Sequence, residues 1–285
     1  MSAKTKYLRR YTHLEALRNI LCTKSLTLLD YRKWDDKNDS YFLHLYQEER
    51  ELKSLLALCL TRSSERFHLW QVFGPKRERH SVKVVGQSLG CRAFDPSSPL
   101  ARIGVRIRFD RSQLIEALGK YRGRVTWDDV DYLTYAQLEA LGKKRKGMDP
   151  IAKLPFVKRY GFRDESEFRI MYESKRKTAT TINIPIPLSC INRIILSYKL
   201  NYGNYKAIKD KLRSLDGCRG LDIRRSNLIE SKTWKNAGAE AVKAAKQNSI
   251  SQRPTRAAGI EPLKPKRTRR RGPIGLSENR TRVDN

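Results

Sequence analysis

Negative charge is what this chain is short of. Its 285 residues carry 30 Asp and Glu against 60 Lys and Arg, a formal charge of +30 with a pI near 10.2. An excess of that size suits a polyanionic partner, nucleic acid before any other, and the plainer alternative is charge kept for solubility. The five cysteines contain no Cys-x-x-Cys pair, which argues against a zinc ribbon or a disulfide scaffold. Cys59 and Cys190 lie in apolar stretches and read as small core residues. His13, His44, His68 and His80 lack the spacing of metal ligands, so no metal is expected. No apolar run is long enough to span a bilayer, and Lys24 interrupts Ile20 to Leu29, the stretch a secretion signal would need whole. A soluble protein of the reducing cytoplasm, with no membrane partner, is the expectation. A Gly-rich phosphate loop and a recognisable Ser-His-Asp set are missing as well.

What is present divides in two. With 39% hydrophobic residues the chain has enough apolar surface for a real core. Past Lys235 aromatics become scarce and Ala, Arg, Pro and Asn take over, ending in Lys264-Pro-Lys-Arg-Thr-Arg-Arg-Arg271. Residues 236–285 therefore read as a disordered basic tail and 1–235 as one domain. The tail holds +8 of the charge and the body +22, so the body itself is basic. Phosphate contacts made by it would lose roughly 0.9 log units of affinity per log unit of salt for each duplex contact.

Within the body, a strand at Tyr7 to Tyr11 leads into Thr12-His-Leu-Glu15, a capping-box pattern, and a helix with Leu14, Leu17, Ile20 and Leu21 on one stripe. Ser25 to Leu29 reads as strand, Ser40 to Leu56 as helix and Ala57 to Thr61 as strand. Ala101 to Phe109 alternates: Ile103, Val105, Ile107 and Phe109 on one face, with Arg102, Gly104, Arg106 and Arg108 on the other. Arg102, Arg106 and Arg108 are thus aligned as candidate nucleic-acid contacts, unless that face is merely exposed. Asp110 with Gln113 and Thr134 with Gln137 signal two more helix starts. Strands follow near Glu167 to Tyr172, Thr180 to Ile186 and Arg193 to Ser197, then a helix at Tyr202 to Leu215 and a last strand near Leu221 to Ile223. This irregular mixture predicts an α+β fold, a mixed or antiparallel sheet with flanking helices. Tyr31-Arg32-Lys33-Trp34 interleaves aromatic and cationic side chains, as stacking on bases while tracking phosphates requires, and adds Arg32 and Lys33 as candidates.

The densest charge pattern is Phe162-Arg-Asp-Glu-Ser-Glu-Phe-Arg-Ile170. A strand's two-residue period would set Glu165, Glu167 and Arg169 on one face and Ser166, Phe168 and Ile170 on the other. Such a row is either solvated charge with a local ion pair, or a site in which one carboxylate polarises a hydroxyl and the other orients an attacking group. Arg169 stands where a Glu-x-Lys nuclease motif needs lysine.

Five segments in order resemble the domain of unknown function 2971 family of bacterial and phage proteins. They are Arg9-Arg-Tyr-Thr12 before a Leu-Glu-Ala-Leu helix; Leu26 to Phe42 with Trp34-Asp-Asp-Lys-Asn38-Asp39; Cys59-Leu-Thr-Arg-Ser-Ser with His68-Leu-Trp70; Gly104-Val-Arg-Ile-Arg-Phe109-Asp110; and Glu165-Ser-Glu167-Phe-Arg169, which is similar to the family's Glu-x-Glu-Trp-Arg. The match runs from about residue 7 to 225, with Ser40 in place of the family's proline and a longer basic stretch at Gly74 to Arg102. The family's layout is in turn similar to mono-ADP-ribosyltransferases, which implies that fold, NAD as substrate and no metal. It implies Glu167 as the catalytic carboxylate that holds the ribose hydroxyl, and Glu165 as the group that orients or deprotonates the acceptor. Arg10 would bind the dinucleotide's ribose or phosphate, and an aromatic such as Tyr41 or Trp70 would stack on nicotinamide; Phe42 and Ser63 are also eligible for that middle position. From the residues alone Trp70 reads more readily as a core residue and Arg10 as a phosphate or surface contact. The function so implied is transfer of ADP-ribose to a nucleic acid or its associated protein, in a toxin or phage-defence effector that an antitoxin or regulatory protein would restrain. The alternative is a non-enzymatic nucleic-acid-binding module of the same fold.

Overall fold

The computed structural model describes residues 5–73, 89–91, 99–143 and 149–251. Its first half runs β1 (Tyr7–His13), α1 (Leu14–Thr23), β2 (Ser25–Asp30), α2 (Lys37–Glu49), β3 (Ser54–Thr61), α3 (Phe67–Phe73), β4 (Gly104–Asp110) and α4 (Arg111–Gly119). There follow β5 (Val125–Asp129), β6 (Asp131–Leu133), α5 (Tyr135–Gly142), β7 (Val157–Arg159), β8 (Glu167–Ser174), β9 (Thr181–Pro185), β10 (Ile191–Leu196), α6 (Tyr202–Arg213), β11 (Ile223–Arg225) and α7 (Lys232–Ser251). The chain parts into two units after Ser231, and the second opens with α7.

The main sheet has the order β11-β10-β4-β1-β3-β2-β9, with β8 joined to β3 and β5 joined to β8. Every pairing in it is antiparallel except β10 with β11. The fold is the α+β arrangement that the irregular mixture of elements predicts. Alternation makes one face the main core: Leu8, Val105, Ile107, Phe109, Leu58, Leu60, Phe168, Ile170, Ile194 and Leu196 are buried there with Leu14, Leu17 and Ile20 of α1, Leu114 and Leu118 of α4 and Ile208 and Leu212 of α6. The opposite face carries two smaller clusters. Tyr31, Leu43, Tyr46, Leu55, Ala57 and Met171 gather under α2, and Tyr11, Leu69, Trp70, Ile195 and Tyr198 under α3.

Several expectations need correction. β1 continues through His13 and Thr12 pairs with Val105, so the Thr12–Glu15 capping box does not form and the helix starts on an extended His13 with no side-chain cap. The helix expected at Ser40 to Leu56 begins earlier, where Asp36 accepts from the Asn38 and Asp39 amides, and stops at Glu49. Glu51 then adopts a left-handed conformation, φ 52°, and the chain returns as β3. The run Leu55 to Leu60 is buried on both faces, and a continuous apolar run reads as either helix or strand. Arg102 precedes β4 in a short 3-10 turn and is exposed, so it does not align with Arg106 and Arg108. Residues 232–251 are helical where tail composition predicted disorder, consistent with the helix propensity of Ala237, Ala239, Ala241, Ala244 and Ala245. Asp110 and Thr134 cap as predicted, Thr134 in a complete capping box with Gln137. Most of the basic stretch from Gly74 to Arg102, and Lys264 to Arg271, lie outside the described residues.

The cysteines hold a further surprise. Cys22 at the end of α1 is disulfide-bonded to Cys91, 69 residues away with Cα atoms 5.7 Å apart, and Arg18 donates to the Gly90 and Cys91 carbonyls beside it. Two isolated cysteines this far apart give no pairing signal in sequence. Cys59, Cys190 and Cys218 are free. Among the described residues no helix is long and apolar enough to cross a membrane.

Candidate functional site

β3 divides one of its edges between two strands. Thr61 pairs with Arg9 of β1, while Ala57 and Leu56 pair with Leu29 and Asp30 of β2. Among the described residues the edge of Leu58–Leu60 between them has no ladder, and the sheet forks there. On the other edge β8 pairs along the whole of β3, setting Glu167 against Thr61 and Arg169 against Cys59.

Glu167 and Arg169 alternate onto the face under α2, and there they are not a solvated row. Arg169 is fully buried. Its Nη1 and Nη2 donate to Asp39 Oδ1 and Oδ2 at 2.9 and 2.8 Å, a two-pronged pair of the kind Arg geometry favours. Its Nε donates to Glu167 Oε1 at 2.7 Å and Nη1 also to the Pro155 carbonyl at 2.7 Å, and the guanidinium lies 5.0 Å from the Trp34 ring centre. Asp39 reaches this place because the Asp36 cap fixes the start of α2 and turns its first turn inward. Lys158 of β7 closes the cluster, with Nζ 2.7 Å from Glu165 Oε2, 3.6 Å from Glu167 Oε2, 3.7 Å from Asp39 Oδ2 and 3.9 Å from Asp36 Oδ2.

Burial works against every charge in this group, and the neighbours decide the outcome. Burial would raise the Glu167 carboxyl, but Arg169 and then Lys158 hold it below its usual value. Asp39 goes the other way: burial raises it, and Arg169 offsets this only in part, with Glu167 adding to the rise. Burial likewise raises Glu165 despite Lys158. Burial pushes the Cys59 thiol well up, and it stays neutral.

Glu165 is not on the strand. It ends a 3-10 turn, and Ser166 at φ 45° stands between it and β8, so the period-two placement with Glu167 fails; the two carboxylates meet only through Lys158. Arg10 pairs with Ile107 and alternates with Arg9, which puts it on the opposite face of the sheet from Glu167. It is half-buried, and among the described residues its guanidinium has no hydrogen bond or ion pair. Burial lowers its pKa to about 10.

The remaining candidates scatter. Tyr41 is 56% exposed on the outside of α2. Trp70 is buried, edge-on to Tyr11 with ring centres 5.2 Å apart, and its Nε1 donates to Glu65 at 2.9 Å. Ser63 is buried, its Oγ near the Asp164 carbonyl, and Phe42 lines a pocket with Asp36, Asp39, Leu133, Leu138 and Lys158. Arg106 is buried 3.4 Å from Glu65. Arg108 is half-buried, donates to Asn192 at 2.7 Å and lies 4.4 Å from the Tyr7 ring centre. Arg32 is tied to both oxygens of Asp30, and Lys33 is exposed. Sequence reasoning missed Asp39, Lys158 and Cys59 as site residues. Asp39 carried a signal, an acidic residue three after a helix cap; Lys158, in a three-residue strand, carried none.

Comparison with known proteins adds little. No family model matches the chain, nor does any curated protein. Among solved structures it is similar to DarT of Thermus sp. 2.9 in complex with ADP-ribosylated ssDNA, at 10% identity and TM-score 0.34 over 79% of this chain and 95% of that one. The same protein in complex with NAD+ gives 12% identity, TM-score 0.31 and coverage of 79% and 98%, and with carba-NAD+ 12%, 0.31, 79% and 97%. A likeness this slight carries no weight for the site, which rests on its own residues.

Proposed function

We propose that the chain transfers ADP-ribose from NAD to a nucleic acid or a nucleic-acid-associated protein, as a toxin or phage-defence effector. The observation that carries this reading is the fork at Leu58–Leu60: Arg9, next to Arg10, and Glu167 both pair with Thr61 at its end, and among the described residues the half-buried Arg10 has no hydrogen bond or ion pair. A buried cation without a counter-charge is costly, and a pyrophosphate or ribose held at the fork would supply its partner. In the reaction the bond from ribose C1′ to nicotinamide breaks, the electron pair leaves with nicotinamide, and C1′ gains oxocarbenium character. Glu167, held ionised by Arg169, accepts from a ribose hydroxyl and stabilises that charge. An acceptor nitrogen or oxygen then bonds to C1′ and releases a proton, which Glu165, raised toward neutrality by burial, is suited to take.

The test is NAD labelled in its ADP-ribose portion, incubated with the protein and with single-stranded DNA, RNA or cell lysate. Label on an acceptor with release of nicotinamide is expected. Arg10→Gln, which breaks no hydrogen bond or ion pair among the described residues, should weaken NAD binding about tenfold, the loss of one charge-assisted contact, without lowering thermal stability. Wild-type protein that neither binds NAD nor releases nicotinamide would sink the proposal. A second reading, a nucleic-acid-binding module without chemistry, is favoured by the enclosure of Glu167, whose side chain is 5% exposed; it expects salt-sensitive oligonucleotide binding and no use of NAD.

A further inference from the structure

The pairing registers draw a straight line across five strands. Arg193 of β10 is opposite Arg108 of β4, Arg108 opposite Arg9 of β1, Arg9 opposite Thr61 of β3, and Thr61 opposite Glu167 of β8. Directly paired residues point to the same face, so three guanidinium groups lead in file to the carboxylate. At one strand spacing per step the file spans about 19 Å from Arg193 to Glu167.

We infer that Arg193, Arg108 and Arg9 form a track for the sugar–phosphate backbone of a single-stranded nucleic acid, delivering the strand toward Glu167. Like charges directly opposite one another destabilise a sheet unless something compensates them. Among the described residues neither Arg9 nor Arg108 has a carboxylate partner: Arg9 donates to the Tyr7 and Arg62 carbonyls and Arg108 to the Asn192 side chain, all neutral. Arg193 meets Asp222 at 2.6 Å, but Asp222 also serves Arg224. Burial and then the neighbouring arginines lower the pKa of both Arg9 and Arg108, and for Arg108 the more distant Asp222 offsets this only in part, as expected of cations crowded on one face. Arg106, one row along, is different: Glu65 meets its charge and it lies beside Tyr11, a member of the cluster under α3. The track therefore uses Arg108, drops Arg106 and adds Arg9 and Arg193, which strand alternation alone did not single out. Tyr7, on the same face and under the Arg108 guanidinium, adds an aromatic surface of the kind that unpaired bases stack on.

This inference rests on nucleic acid being the acceptor, so it is tested without NAD. Binding of the full chain to a fluorescent single-stranded oligonucleotide is measured over a range of salt. Each phosphate contact adds about 0.7 to the slope of log affinity against log salt on a single strand, so Arg9→Gln, Arg108→Gln and Arg193→Gln combined should lower the slope by about 2 and the affinity more than tenfold. Arg108→Gln alone, which removes one neutral contact and relieves repulsion, guards against misfolding of the triple variant and should lower the slope by about 0.7. Arg219→Gln, exposed and off the line, should leave both nearly unchanged. An unchanged slope in both track variants, or equal competition by duplex, overturns the track. Nicotinamide release, assayed separately, decides the fate of the transferase reading.

Discussion

Replacing Asp39 by Asn tests whether the charge cluster under α2 is as dry as its geometry implies. Arg169 is fully enclosed and Asp39 nearly so, with the Asp39 side chain 2% exposed. Two cations, Arg169 and Lys158, are shared among Asp39, Glu167, Glu165 and the edge of Asp36. Asp39→Asn keeps the shape but removes the counter-charge on both Arg169 Nη atoms, leaving a buried guanidinium with Glu167 Oε1 and one carbonyl. Breaking one partner out of a buried pair costs about 3–5 kcal/mol, a large part of the 5–15 kcal/mol that holds a typical domain. With a urea m-value of about 1–3 kcal/mol/M the unfolding midpoint should fall by at least about 1 M. Lys175→Gln, which breaks an ion pair with Glu51 whose side chains are 64% and 85% exposed, should show no measurable change. Adding Arg169→Met to Asp39→Asn should restore part of the loss, because the stranded charge goes too. Equal, small shifts for Asp39→Asn and Lys175→Gln would refute the idea of an enclosed cluster, and with it the reason for holding Glu167 ionised.

The Cys22–Cys91 bond closes a long loop, with a sequence separation of 69; loop entropy alone gives it about 4 kcal/mol, so Cys22→Ser should lower the denaturant midpoint under oxidising conditions and match wild type under reducing ones. Identical midpoints for the two proteins in oxidant would show that the bond does not form. Glu165→Gln removes the group that takes the acceptor's proton, and should lower the rate of ADP-ribose transfer to the acceptor at least about a hundredfold, the lower end of the usual range for losing a general base, with NAD affinity unchanged; an unaltered transfer rate would remove Glu165 from the mechanism.

Much of this could be read from the chain because local pattern and global structure agree. The stripe of α1, the alternation of β4 and the caps at Asp110 and Thr134 are set by the residues themselves. Other features depend on what lies across the fold. β7 has three residues, too few for any period to show, yet it delivers Lys158. Glu165 fits the strand's period in sequence, but Ser166 in the left-handed region breaks the strand before it reaches Glu167. The line of arginines crosses three strands far apart in sequence, and only register could reveal it.

Glu167 is asked to be both a structural partner and the carboxylate that holds the ribose hydroxyl, and its two oxygens show how these roles separate. Oε1 is committed, accepting from Arg169 Nε at 2.7 Å. Oε2 stands 3.6 Å from Lys158 Nζ, beyond a normal hydrogen bond. Lys158 lies off it because Glu165 holds the ammonium at 2.7 Å. The second carboxylate thereby leaves Oε2 charged, oriented and able to accept a hydroxyl, while Arg169 keeps the group ionised. On this account Arg169 is what makes a buried carboxylate usable, since without a fixed cation burial would protonate it. The pairing that looks purely structural in Glu167-Phe-Arg169 is then the condition for chemistry at Glu167.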